Sequence, residues 1–124
     1  MTSSLLTYLM TIDSLSSESG SARSVDVADR LNVARASVSK AADRLTDGGW
    51  AVRDENGRLR LTERGREAVR AYAPARDVLV AVFTGRLGLT AARAERDAIA
   101  VLGALDEDTV IRIARLYTGA EERK

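Results

Sequence analysis

Residues 24–61 contain the pattern that most restricts how this chain can fold. Two short segments, 24–31 and 35–45, have apolar residues at helical spacing and are separated by a tight turn at Asn32-Val33. A glycine break and two short apolar segments around Asn56-Gly57 follow them. The spacing predicts two amphipathic helices, and Asn-Gly between short strands is a strong signal for a type I′ hairpin. A helix, a turn, a second helix and a hairpin in this order are typical of a winged helix-turn-helix.

The second predicted helix has one apolar face and one face of mixed chemistry. Its apolar residues recur at i, i+3, i+4 and i+7 from Val38 to Leu45, and the opposite face carries small, hydroxylated and cationic residues. A helix in the major groove needs these side chains, because small residues allow close approach and hydroxyl or cationic groups bind phosphates and base edges. We therefore interpret it as a DNA recognition helix. The alternative is an amphipathic surface helix with solvated charges.

Seven side chains are predicted to contact DNA. The hydroxyl groups and the lysine of the recognition helix are expected to contact bases or phosphates, and its two arginines mainly phosphates. Two further arginines are expected to act from the wing. In that order these residues are Ser37, Ser39 and Lys40; Arg35 and Arg44; and Arg58 and Arg60.

The charge of the chain is close to balanced, with a formal net charge of +1. Residues 1–73 carry 11 basic and 10 acidic side chains, and residues 74–124 carry 8 of each. A local basic patch can still supply phosphate contacts on a nearly neutral protein, although a solvated arginine face is the alternative. Six arginines crowd the hairpin and the helix after it: Arg53, Arg58, Arg60, Arg64, Arg66 and Arg70.

The composition excludes several classes of protein. The chain has no cysteine and no histidine, so it has no disulfide framework, no zinc ribbon, and neither the commonest metal ligand nor the commonest general base. It also lacks a glycine-rich phosphate loop and any grouping of Ser, Lys or carboxylates that suggests catalysis. We therefore do not expect this protein to be an enzyme or to bind a cofactor. The apolar run over residues 5–12 is too short to span a bilayer and has no positive flank, which predicts no membrane partner and a cytoplasmic location.

The remaining sequence is predicted to be helical, giving a mainly α protein with a small β-hairpin wing. The first helix is expected to present Leu5, Leu9 and Ile12 on one face. A fourth helix follows the hairpin, and a fifth to a seventh occupy the second half. The predicted caps and breaks are Ser3 or Ser4, Ser24, Thr62, Thr90 and Asp106 as N-caps, Pro74 as a stop or restart, and Gly88 and Gly119 as helix ends.

Three regions follow from this reading. Residues 1–73 are predicted to form the winged helix-turn-helix DNA-binding domain, residues 74–118 a helical dimerisation domain, and residues 119–124 a frayed tail. The second region has more aliphatic residues than a small domain can cover, so part of it is expected to pair with a second copy. A bundle closed within one chain is the alternative.

One further pattern extends over most of the chain. It consists of Tyr8-Leu9, Ile12, Val25-Asp26-Val27-Ala28-Asp29-Arg30-Leu31-Asn32-Val33, Ala36-Ser37-Val38-Ser39-Lys40, Arg44-Leu45, Leu61-Thr62-Glu63-Arg64-Gly65 and Val78-Leu79-Val80-Ala81-Val82-Phe83. In this order the segments resemble the metal-dependent repressors of the diphtheria toxin repressor and manganese transport regulator group. The resemblance implies a homodimer with an N-terminal winged helix and a helical dimerisation domain, of the kind without a further C-terminal domain.

The departures from that family concern its metal. The resemblance places the metal ligands on the first, fifth and sixth predicted helices, between the two domains, as carboxylates and histidines. Here the equivalent positions are Thr7, Met10, Arg76, Ile99, Leu102 and Gly103. A divalent first-row ion needs several converging carboxylate, imidazole or thiolate ligands, so we expect no metal at these positions. The hypothesis is a repressor whose DNA-binding arrangement forms without an ion.

Several alternatives remain open from the sequence. Asp77, Glu95 and Asp97 are acidic residues near these positions that offer a relocated metal site. A second alternative is that a ligand other than a metal binds at the positions equivalent to the family's metal ligands. Winged helices also bind proteins, so a protein interaction module is a third reading. The operator, the regulated genes and any effector are not encoded in these patterns.

Overall fold

A computed structural model describes residues 2–122, with side chains described for residues 2–116. The described chain is mostly helical and contains one small antiparallel sheet. It divides into two compact units, of which one is Leu5–Val69 and the other takes the described residues up to Ser4 and from Arg70 onward. The elements are α1 Ser3–Ser19, α2 Ser24–Leu31, α3 Arg35–Asp47, β1 Ala51–Arg53, β2 Leu59–Leu61, α4 Glu63–Gly85, α5 Ala91–Ala104 and α6 Glu107–Glu122.

The unit Leu5–Val69 is a winged helix, as the sequence predicts. Helix α2 packs against α3, and α3 contacts β1. The predicted stripe of α3 is confirmed, because every apolar position from Val38 to Leu45 is buried. On α1, Leu6 and Leu9 are fully buried, so the buried stripe includes Leu6, whereas the predicted Leu5 is half-buried. Asn32 has φ 54 at the turn between α2 and α3, a left-handed conformation that Asn tolerates better than most residues.

The wing is a three-residue pairing of β1 with β2, in which Ala51 lies opposite Leu61 and Arg53 opposite Leu59. A further backbone pair extends this sheet. Ala22, in the connection between α1 and α2, forms an antiparallel bridge with Leu59, and each residue donates its N–H to the carbonyl of the other at 2.8 Å. The connection before α2 is therefore fixed to the wing.

The tip of the wing differs from the predicted type I′ turn. That turn needs positive φ at both central residues, but of the pair Asn56-Gly57 only Gly57 has it, at +77°. The Asp54 carboxylate accepts the N–H groups of Asn56 and Arg58 at 2.9 Å each, and the N–H of Gly57 donates to the carbonyl of Asp54 at 3.0 Å. Asp54 thus favours a longer loop with a left-handed glycine at its end.

The sequence Leu61-Thr62-Glu63-Arg64-Gly65 joins the wing to α4 through one junction. The Thr62 hydroxyl donates to the carbonyl of Gly49 at 2.5 Å and accepts the N–H of Gly65 at 3.1 Å, which confirms Thr62 as the predicted cap. The N–H of Thr62 donates to the carbonyl of Trp50 at 3.0 Å. A Cβ atom on Gly65 would overlap that same carbonyl oxygen. Residue 65 must therefore be glycine for the backbones to approach this closely.

Helix α4 is continuous, so the prediction that Pro74 stops or restarts it is wrong. The predicted fourth and fifth helices are one helix of 23 residues with Pro74 inside it. An interior proline costs about 3 kcal/mol through a lost hydrogen bond and a steric clash. Val69 before it and Ala75 after it are both buried, so packing on both sides of Pro74 opposes the break.

The other predicted helix ends show how local chemistry decides them. Thr90 is confirmed as the N-cap of α5, since its hydroxyl accepts the N–H of Arg93 at 3.3 Å. Ser24 is not a cap: Arg23 occupies the N-cap position of α2 and makes no side-chain capping bond. Helix α6 continues to Glu122, beyond the end predicted at Gly119. Of the predicted tail, residues 123 and 124 lie outside the described residues.

The second unit contains most of α4, together with α5 and α6. Its fully buried residues are small or aliphatic, with Ala94, Ala98 and Leu102 on α5 and Val110 on α6. No helix in residues 2–122 is both long enough and apolar enough to cross a membrane.

Replacing Gly65 with alanine is expected to destabilise the winged-helix unit. The added methyl group displaces the Trp50 carbonyl, so Gly65→Ala should lower the free energy of unfolding by about 1–3 kcal/mol. A urea titration followed by the fluorescence of Trp50, the single tryptophan of the chain, measures it. Gly85→Ala is the control, because a Cβ there meets no atom within 4 Å. Equal stability of the two variants would contradict this account of the junction.

Candidate nucleic-acid interface

The exposed face of α3 carries all five recognition-helix residues that the sequence singles out. Ala34, which precedes the helix, has an extended backbone and no side-chain capping bond, so the helix begins with Arg35. Only the opposite, apolar stripe of α3 is buried. The five predicted residues, all exposed, are Arg35, Ser37, Ser39, Lys40 and Arg44. Ala36 and Asp43 are exposed on α3 as well.

The cations predicted to contact DNA differ from most other arginines of the unit Leu5–Val69, because those other arginines form ion pairs. Among the described side chains, no carboxylate lies within 4.0 Å of the predicted DNA-contacting cations. Arg53 instead pairs with Asp43 at 2.9 Å, and Arg66 with Glu63 at 3.0 Å. Because unpaired cations can neutralise phosphates without first breaking an internal pair, they favour a polyanion as ligand. The unpaired set is Arg35, Lys40, Arg44, Arg58 and Arg60.

A cleft of about 440 Å³ lies between α3, the wing tip and the start of α2. Three of the predicted contact residues, Arg35, Ser39 and Arg58, line it together. Ser37, Lys40, Arg44 and Arg60 are exposed but do not line this cleft. Arg23, which no sequence motif singles out, also lines it. The signal that locates Arg23 is the bridge between Ala22 and Leu59, and no short-range pattern encodes that pairing.

The remaining arginines near the wing have intramolecular roles. The guanidinium of Arg64 stacks on the ring of Trp50, with 4.7 Å between its central carbon and the ring centroid. Arg66 donates to the carbonyl of Leu61 at 3.1 Å as well as to Glu63. Arg53, Arg64 and Arg66 therefore contact other groups of the chain, whereas Arg58 and Arg60 are exposed to solvent.

The positions equivalent to the family's metal ligands hold apolar or cationic groups. Met10, Ile99 and Leu102 are buried, at 8%, 8% and 0% exposure. The guanidinium of Arg76 pairs with the neighbouring Asp77 at 3.1 Å.

The two smaller positions offer no better donors. Thr7 is half-buried, and its carbonyl accepts a hydrogen bond from the hydroxyl of Thr11 at 2.8 Å. Gly103 lies against Ser3, so closely that a Cβ atom on the glycine would overlap it. This donor set does not fit a first-row divalent ion.

Two of the three acidic residues considered for a relocated metal site, Asp77 and Asp97, form ion pairs. Asp77 pairs with Arg76, and Asp97 lies 3.7 Å from Arg93 and 4.0 Å from Arg96. In the part of the chain that the structure describes, no three His, Cys, Asp or Glu residues form a group that could hold a metal ion.

The fold is similar to those of two solved structures. T. acidophilum IdeR superposes with a TM-score of 0.72 at 23% identity, over 91% of this chain and 53% of that one. The present chain thus spans about half the length of IdeR. The hypothetical protein SSo2273 from Sulfolobus solfataricus gives a TM-score of 0.65 at 21% identity, over 97% of this chain and 91% of that one. No protein-family model and no curated protein sequence matches the chain. At these identities the likeness establishes a shared fold.

Proposed function

We propose that this protein is a sequence-specific DNA-binding transcriptional regulator, acting as a homodimeric repressor without a metal corepressor. The observation that carries the proposal is the set of five cations on α3 and the wing that have no carboxylate partner among the described side chains. They surround small and hydroxylated residues on an exposed helix face, which suits close approach to a duplex. The fold shared with IdeR supports the proposal that this protein is a DNA-binding transcriptional regulator.

In the proposed mechanism, α3 enters the major groove by its N-terminal half. Ser37, Ser39 and Lys40 contact base edges or phosphates, while Arg58 and Arg60 reach the adjacent minor groove or its phosphates from the wing. Two copies bind half-sites whose centres are about 34 Å apart, or a multiple of that distance. Occupation of a promoter by the dimer blocks transcription. No catalytic step is part of this function.

Lys40 provides the test of base recognition. Lys40→Ala should weaken binding to a site selected from random DNA by about 1–3 kcal/mol and relax the preference at one position. The measurement is an affinity titration against a panel of single-base variants of that site. Arg112→Ala is the control, since Arg112 pairs with Asp108 at 2.9 Å on α6. A uniform loss over the whole panel would assign Lys40 to the DNA backbone instead.

The proposed dimer surface is an apolar groove of about 480 Å³ formed by the end of α4 and by α5. Three aliphatic residues of this region are unusually exposed: Val82 at 43%, Leu87 at 63% and Val101 at 39%. Arg93 and Asp97 also line the groove. Because Arg93 and Asp97 lie 3.7 Å apart and pair with each other, a second copy of this chain meets paired charges in an otherwise apolar groove and suits it.

A charge placed in this groove should separate the two copies. Val101→Asp is expected to convert a dimer into a monomer in sedimentation velocity and to weaken DNA binding, because burying an unpaired carboxylate is costly. Val52→Asp makes the same change at an equally exposed residue of the wing, 43% accessible, and should leave the dimer intact. A dimer that survives Val101→Asp would exclude the groove as its interface.

Metal independence is proposed from the donor chemistry of the six equivalent positions. Met10, Ile99 and Leu102 are buried, and apolar burial contributes about 1.5–3 kcal/mol for each fully buried side chain. The thioether of Met10 is one soft ligand, which alone does not hold iron or manganese.

Divalent metals are therefore expected to leave DNA affinity nearly unchanged. Titrations of the selected duplex with purified protein in Mn²⁺, in Fe²⁺ under anaerobic conditions and in a chelator should agree within a few-fold, because no ligand set is assembled. A tenfold gain on adding metal, or loss of binding in the chelator, would overturn metal independence and leave the DNA-binding proposal standing.

A protein interaction module is the second candidate, favoured by the net charge of +1. The salt dependence of binding separates the two functions. Contacts to several phosphates give a steep fall of log affinity with log salt concentration, with a slope of about −0.9 per phosphate contacted. A winged helix that serves only as a protein-binding module would show no salt-sensitive affinity for duplex DNA.

A further inference from the structure

We propose that the cleft between α2, α3 and the wing binds one phosphate of the DNA backbone, and that Arg23 is a phosphate-binding residue of this site together with Arg35 and Arg58. This inference rests on the proposed function and adds a contact outside the recognition helix and the wing. It concerns the connection between α1 and α2, for which no sequence motif predicts a role.

Backbone pairing places Arg23 beside Arg58. Ala22 and Leu59 face each other in the antiparallel bridge, so the residue after Ala22 lies next to the residue before Leu59. Two like charges in neighbouring positions of a sheet repel each other. An anion between them removes that repulsion, which makes the pair a natural site for a phosphate group.

Asp26 holds the Arg23 side chain in one orientation. Its two carboxylate oxygens accept the Nε and one Nη of Arg23 at 2.9 Å and 3.1 Å. This hydrogen bonding lowers the pKa of Asp26, and the charge of Arg58 contributes to the same shift. The other Nη of Arg23 remains free of Asp26, on a side chain that is 55% exposed. Asp26 is therefore a positioning residue, and a guanidinium held in this way loses little freedom when it binds.

The charge balance of the cleft remains positive despite Asp26. Arg23, Arg35 and Arg58 bring three positive charges, and among the described side chains no carboxylate lies within 4.0 Å of the guanidinium group of Arg35 or of Arg58. The residues that line the cleft include three guanidinium groups and no carboxylate, which suits a single phosphodiester. The start of α2, where no side chain caps the helix, opens on the same cleft through Ser24.

The geometry favours a backbone phosphate over a base. The cleft lies between the first turn of α3 and the wing tip, since Arg35 and Ser39 line one side and Arg58 lines another. Guanidinium groups bind phosphate oxygens through paired N–H donors. A phosphate held here fixes the depth and register of α3 in the groove without reading sequence.

The test compares Arg23→Gln with Arg112→Gln, which removes an arginine that also pairs with an aspartate within one helical turn. On the selected duplex, Arg23→Gln should weaken binding about tenfold, as for one charge-assisted hydrogen bond. It should also reduce the slope of log affinity against log salt by about 0.9. Arg112→Gln should change neither quantity. Thermal unfolding of both variants verifies that they are folded.

Neutral methylphosphonate groups locate the contact on the DNA. Each is placed singly along the backbone of the selected duplex, and the loss of affinity at each position is compared between wild-type protein and Arg23→Gln. One position in each half-site should weaken the wild type but leave Arg23→Gln unaffected, because the contact is already absent. Inorganic phosphate, added against chloride at equal ionic strength, should not compete at millimolar concentration, since DNA supplies the phosphate together with its other contacts.

Three outcomes would overturn the site. Wild-type affinity and salt slope in Arg23→Gln, while Lys40→Ala still weakens binding, would exclude Arg23 and leave the proposed function intact. Competition by millimolar inorganic phosphate would identify the cleft as a site for a free phosphate compound. A wild-type protein that shows no salt-dependent binding to any duplex would remove the proposed function and this contact with it.

Discussion

The junction of Thr62, Gly65 and Trp50 is the constraint on which the winged helix depends. Thr62 bonds the backbone that follows α3 and caps α4 with the same hydroxyl group. Gly65 allows the Trp50 carbonyl to lie directly against α4, and Arg64 covers the ring of Trp50. These contacts fix the wing against the end of α3. The convergence of α3 and wing side chains on one cleft follows from that fixed geometry.

The distribution of ion pairs, rather than the net charge, defines the proposed DNA-binding surface. A chain with a formal charge of +1 would not be identified as a nucleic-acid binder by its total. Acidic side chains neutralise arginines that support the fold, as Asp43 does for Arg53. The cations Arg35, Lys40, Arg44, Arg58 and Arg60 are left without such partners among the described side chains. An electrostatic field can therefore be local even on a balanced protein.

Features that depend on short sequence spacing were predictable, and those that depend on distant packing were not. The buried stripe of α3, the left-handed Asn32 and the caps at Thr62 and Thr90 follow from rules that act over a few residues. The continuity of α4 through Pro74 does not, because burial on both sides outweighs a local preference. The wing turn was missed because the Asp54 carboxylate competes with the Asn-Gly signal. The position of Arg23 depends on a pairing with Leu59 that local patterns do not contain.

The bridge between Ala22 and Leu59 has a consequence for how the domain comes apart. These two residues close a loop of chain that contains α2, α3 and β1. When β2 detaches, its pairing with Ala22 is lost together with its pairing to β1. The helix-turn-helix and the hairpin are therefore destabilised in the same step. We expect the helices and the hairpin to exchange their amide hydrogens as one cooperative group, in place of a wing that frays independently.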